Sequence, residues 1–148
     1  VSEGAGLIGK GPWWGIRMVN SDFNLIEKEI RKNILKKDII SIILFGSAVD
    51  SVEKANDYDF LIVTKKRIQL DWIIAGTIKY NLIGRVKKPV DIIFLEESDL
   101  KYGSPFLYEV GRKFKLISGK DISMQFKTIN IGINPLMEGG CQVGWQVA

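Results

Sequence analysis

From residue 21 onward the chain alternates short apolar runs with helix-spaced stretches, and this pattern predicts its architecture. Ser21 or Asp22 can cap a helix whose Phe23, Ile26, Ile30 and Ile34 share one face, with Lys, Arg and Glu opposite. The β-branched run IISIILF (39–45) is followed by turn residues and reads as a buried strand. In DYDFLIVT (57–64), Asp57, Asp59, Leu61 and Val63 fall on one face of a second strand. Residues 68–84 carry Ile68, Trp72, Ile73 and Leu82 at near-helical spacing and stop at Gly84. Pro89 opens a third strand, VDIIFL (90–95), and SPFLYEVGRKFKLIS (104–118) reads as a short helix running into a brief strand. Helices and strands in this order predict an α/β (α+β) domain, a small sheet flanked by helices.

The two ends break the pattern. Residues 1–20 are glycine-rich, hold Pro12 and the pair Trp13-Trp14, and show neither period, so they read as a flexible or artificial leader. Residues 121–148 close on NPLMEGGCQVGWQVA and read as an irregular tail, foreign or disordered. The working domain is thereby expected at 21–120. GAGLIG (4–9) formally matches GxGxxG and, with Lys10-Gly11, nearly matches a phosphate-binding loop. Such loops need a strand before and a helix after, and here only three residues precede Gly4 while Pro12 follows Gly11.

Composition narrows the chemistry. The 148 residues include no histidine and one cysteine, Cys141, which excludes Ser-His-Asp and Cys-His catalysis and ordinary zinc sites. A single cysteine also gives no intrachain disulfide framework, and no apolar run approaches the roughly 18 residues of a membrane span. A cytoplasmic protein is the expected default. The net charge of +4 suits anionic ligands and equally suits a solvated basic surface, so it supports nucleic-acid binding only weakly.

What remains is oxygen chemistry, and LFGSAVDSVEKANDYDFLIV (44–63) supplies it. Gly46-Ser47 sits where a buried strand ends and a helix-like stretch begins, so backbone amides and the Ser47 hydroxyl can hold phosphate oxygens. Asp57 and Asp59, two apart on a strand, converge on one side, and Asp91 on the next strand can add a third carboxylate. Three such groups repel one another unless a cation joins them, and an all-oxygen set suits Mg²⁺ or Mn²⁺. Taken alone, Asp-x-Asp is ordinary turn or cap chemistry, as is Gly-Ser after a strand. The joint pattern is what points to nucleotide and metal binding.

Over roughly residues 22–118 these motifs resemble the polymerase beta-like nucleotidyltransferase superfamily, whose signature is Gly-Ser, a spacer, Asp-x-Asp and a later Asp. Gly46, Ser47, Asp57, Asp59 and Asp91 match it position by position. The length is similar to that of the minimal nucleotidyltransferases, the MntA-like antitoxins paired with HEPN-domain proteins. The resemblance implies a small mixed sheet flanked by helices and two-metal transfer of a nucleoside monophosphate, AMP from ATP, onto a hydroxyl. It further implies that Ser47 and Gly46 bind the nucleotide, that Asp57, Asp59 and Asp91 hold the metals and are catalytic, and that a HEPN-type partner brings the acceptor. Two alternatives remain open: a nucleotide-binding module that neutralises its partner by contact, and a small-molecule nucleotidyltransferase of the antibiotic-modifying type. A homo-oligomer is compatible with either. Many members carry a basic residue and a glycine soon after Gly-Ser, whereas this chain has Ala48-Val49-Asp50-Ser51, with Lys54 the nearest cation.

Other residues suggest less. Lys65-Lys66-Arg67 and Lys87-Lys88 flank strands and read mostly as solvated loop charges. Trp72 reads as a core or partner-interface residue, and Tyr58, on the face opposite the two aspartates, as packing.

Overall fold

The computed structural model describes residues 20–129 and 133–147; the expectations for the leader and its glycine motif fall on residues 1–19, outside that range. Helix α1 (Ser21–Asn33) starts on Asn20, whose side chain accepts from the Asp22 amide at 2.8 Å. The cap thus lies one residue before the expected Ser21 or Asp22. Asp22 is instead buried, accepting from the Tyr58 hydroxyl and the Lys87 amide, each at 3.0 Å.

Strands β1 (Ile39–Phe45), β2 (Tyr58–Thr64), β3 (Val90–Glu96) and β4 (Lys115–Gly119) form one mixed sheet in the order β3-β2-β1-β4. Only the β2–β3 pair is parallel, and α2 (Asp71–Leu82) makes the crossover between its strands. Alternate side chains of the two central strands feed two cores. Ile42, Leu44, Tyr58, Phe60 and Ile62 pack with Phe23, Ile26 and Ile30 of α1 and Ile78 and Leu82 of α2. Ile43, Leu61 and Val63 pack with Leu107 and Val110 of α3 (Pro105–Arg112) and Phe126 of α4 (Ser123–Ile129). Coverage on both faces explains why IISIILF is apolar without alternating.

Helix α3 forms where Ser104 accepts from the Leu107 amide at 3.1 Å and Pro105 occupies the first turn. Beyond β4 the chain is more regular than its glycines suggest. Residues read as an irregular tail contain α4 and an antiparallel hairpin of β5 (Ile133–Glu138) and β6 (Cys141–Val147), with Trp145 edge-on to Tyr108 of α3 at 5.0 Å. Among the described residues, no helix is long and apolar enough to cross a membrane.

Candidate active site

Strand register assembles the site. Phe45, the last residue of β1, pairs with Asp59, and Asp59 in turn pairs with Asp91 across the parallel β2–β3 ladder. Asp57 directly precedes β2, and two-residue periodicity turns it to the same side as Asp59. One carboxylate oxygen from each of Asp57, Asp59 and Asp91 lies within 4.8 Å of the others. The intervening Tyr58 points away into the core, edge-on to Phe23 at 5.2 Å, as expected of a packing residue. Gly46 follows β1 at φ +76°, and a β-carbon there would collide with Asp59 Oδ2. No other residue fits both the backbone and the space.

Crowding has an electrostatic consequence. Burial, then the charges of Asp57 and Asp91, push the Asp59 carboxyl up to about 6. Lys79 of α2 partly answers that charge, its Nζ 3.2 Å from Asp91 Oδ1. The cluster keeps an excess of negative charge, and its all-oxygen donors suit a hard divalent cation.

Two cavities lie beside the motif residues, with only Phe45 lining both. One, about 440 Å³, lies over Gly46 and Ser47 and is bounded by Asp50, Phe106, Glu109, Arg112 and Lys113. The other, about 530 Å³, contains Asp59, Asp91, Lys79, Gly76 and Trp72. The helical stretch expected after Gly-Ser is reduced to one 3-10 turn, Gly46–Val49, closed by the Asp50 and Ser51 amides donating to Ser47 O at 3.1 and 3.2 Å. Lys88 organises the rest of the spacer. Its ammonium donates to the carbonyls of Val52, Glu53 and Ala55, fixing the approach to Asp57.

A family model described as polymerase beta, nucleotidyltransferase, matches residues 26–123, about two-thirds of the chain and including all five motif residues. The chain belongs to that family. As a nucleotidyltransferase it has the mixed sheet and flanking helices that the resemblance implied. Solved structures of similar fold include a toxin–antitoxin pair with AMP-PNP, 24% identical, covering 74% of this chain and 85% of that one at a TM-score of 0.55. A second is the tri-AMPylated HEPN toxin of Shewanella oneidensis in complex with its MNT antitoxin, 20% identical over 74% and 80%, TM-score 0.51. A third is the spectinomycin adenyltransferase AAD(9) of Enterococcus faecialis with ATP and spectinomycin, 22% identical over 72% and 58%, TM-score 0.55. No curated protein sequence matches.

Three of the five motif residues of this nucleotidyltransferase, Asp57, Asp59 and Asp91, therefore meet at one place, with Gly46 against Asp59 and Ser47 lining the neighbouring cavity. Other expectations change. Trp72 is 71% exposed, which removes the core reading, and Ile73 and Tyr80 on the same helix are exposed with it. Lys88 is a structural anchor rather than a solvated charge, and Arg67 is paired with Glu96 and Asp99. Lys79 was missed, although it is the one cation in the otherwise apolar-rich helix DWIIAGTIKYNL. That isolation was the available signal.

Proposed function

We propose that this nucleotidyltransferase moves AMP from ATP onto a hydroxyl of a HEPN-type partner protein, acting as the antitoxin of the pair. The observation that carries this reading is the convergence of Asp57, Asp59 and Asp91, with Asp59 and Asp91 lining one cavity and the Gly46-Ser47 turn lining a neighbouring one that shares Phe45. The cavity of the turn offers Gly46 and Ser47 to a triphosphate, and the other offers Asp91 to an acceptor. Likeness in fold to an MNT antitoxin bound to an AMPylated HEPN toxin supports the choice of acceptor.

Asp57, Asp59 and Asp91 would hold Mg²⁺ or Mn²⁺, which supplies charge neutralisation and activation of the reacting oxygens. The protein's own groups do the remainder. Backbone amides of the Gly46–Val49 turn and the Ser47 hydroxyl hold the triphosphate, placing its α-phosphorus at the carboxylates. The acceptor oxygen bonds to that phosphorus as the bond to the β-phosphate's bridging oxygen breaks, releasing pyrophosphate. The hydroxyl proton passes to a carboxylate oxygen of Asp91, beside which Lys79 supplies positive charge. Trp72, on the acceptor side, offers a broad apolar surface to the incoming protein.

The test incubates the chain with ATP labelled on the α-phosphate, Mg²⁺ and a HEPN-domain protein, taken from a neighbouring gene where one is found, next to Asp57→Asn and Asp59→Asn. Label on the partner that disappears in both variants supports the reading. Complex formation without label reduces the chain to a module that acts by contact, and label on an aminocyclitol antibiotic instead would favour a small-molecule acceptor.

A further inference from the structure

The cavity over the Gly46–Val49 turn is acidic along the turn itself. From Gly46 to Glu53 the chain carries no Lys or Arg, while Asp50 and Glu109 both reach the cavity lining. A polyanion such as a triphosphate would be repelled there unless cations intervene. Two cations do, both from the end of α3. Lys113 Nζ lies 2.8 Å from Asp50 Oδ2, and Arg112 NH1 lies 3.4 Å from Glu109 Oε2. Among the described residues no other Lys or Arg lines this cavity. Lys54, the nearest cation in sequence, is not part of its wall, and Lys79 lies in the other cavity against Asp91.

We propose that Lys113 is the cation that engages the nucleotide's triphosphate, supplied from α3 instead of from the Gly-Ser turn, and that Asp50 holds it ready across the cavity until nucleotide arrives. The proposal rests on the nucleotidyltransferase reading given above. Its geometry follows from the packing. The ring of Phe106 on α3 meets Phe45 edge-on at 5.4 Å, which fixes the helix against the end of β1. Asp50 hangs from the same turn as Ser47, through its amide on Ser47 O at 3.1 Å. Lys113 therefore reaches the turn that would carry the phosphates. Its present bond is easily exchanged: both side chains of the pair are more than half exposed, where ion pairs are weak. Phosphate oxygens offer the same ammonium several charge-assisted bonds in place of one carboxylate.

Calorimetric titration of the full chain with ATP and with AMP, both in Mg²⁺, tests this. Lys113→Met is expected to weaken ATP binding by about tenfold or more while AMP, which lacks the outer phosphates, changes little. Lys113→Arg should keep most of the ATP affinity. Asp50→Asn should tighten ATP binding several-fold, and that gain should vanish in the Lys113→Met background. Wild-type affinity for ATP in Lys113→Met, with wild-type protein binding ATP normally, overturns the proposal and leaves the proposed function standing. An equal gain from Asp50→Asn with and without Lys113 overturns the holding role of Asp50. Failure of the wild-type chain to bind ATP would remove the underlying reading together with this one.

Discussion

Gly46 and Asp59 approach so closely that the first has no room for a side chain. The contact joins the end of β1 to the carboxylate at the centre of the site, and it occurs at a positive φ. Gly46→Ala should therefore do two things at once. Strain and displacement of Asp59 should cost about 1–3 kcal/mol of stability. Mn²⁺ binding, read by titration calorimetry, should weaken more than that loss explains, because the carboxylate itself has moved.

Proton and metal should compete at Asp59. Its carboxyl sits at about 6, raised by burial and by Asp57 and Asp91. A raised value means that the ionised form is disfavoured in the fold, so the metal-free protein gains stability as pH falls from 7 through 6 toward 4. After allowance for solvent screening the gain is on the order of 1–2 kcal/mol. A bound cation reverses the preference. Thermal melts with and without Mg²⁺ should show a large metal-induced rise at pH 7.5 and little at pH 5. Asp59→Asn should melt higher than wild type at pH 7.5 without metal and ignore added Mg²⁺.

A different carboxylate ties the two helices on one face of the sheet. Glu29 of α1 is 3% exposed and accepts from Asn81 Nδ2 of α2 at 2.9 Å and Asn33 Nδ2 at 3.1 Å, with Arg85 at 3.4 Å. The Asn81 bond, ahead of the opposing cost of burial, holds its carboxyl below the ordinary 4.5. A depressed value contributes stability above the unfolded-state pKa and loses it as pH falls through the lower, folded-state one. Glu29→Ala should cost about 2 kcal/mol in urea unfolding at pH 7. That difference should shrink in acid below about 4.

Lys88→Met keeps the aliphatic stem and removes three donors to the spacer carbonyls. Hydrogen exchange should accelerate at residues 50–57 with a global stability loss of about 1–3 kcal/mol. Unchanged exchange in that segment would contradict the anchoring role.

Trp72→Ala tests the acceptor side. With Trp72 largely exposed, stability should change by less than about 0.5 kcal/mol. ATP affinity should hold, since the residue lies outside the cavity of Gly46 and Ser47. Label transfer to the partner protein should fall, seen as a raised KM for that protein.

Strands and motif residues were legible in the sequence because local pattern controls them. IISIILF became β1 at the expected bounds, and Asp57, Asp59 and Asp91 converge as strand parity and order require, with Gly46 against Asp59. Residues whose roles depend on distant partners were not legible. Asp22 had the credentials of a cap but is used by Tyr58, thirty-six positions away, and Lys88 looked like loop charge but binds carbonyls of the spacer. Hairpin β5–β6 was hidden for another reason: glycines at 139, 140 and 144 mask the strand signal, although Gly139-Gly140 with positive φ is the turn that joins it.

The two cavities adjoin at Phe45, the one residue they share, and Asp59 and Asp91 line the second of them. Under the proposed reading, ATP and acceptor arrive from separate sides, and neither has to vacate space for the other. Kinetics should then follow a ternary-complex order, with no nucleotidylated enzyme between half-reactions. A chain already loaded with ATP can wait, and the moment of transfer is set by the encounter with its partner.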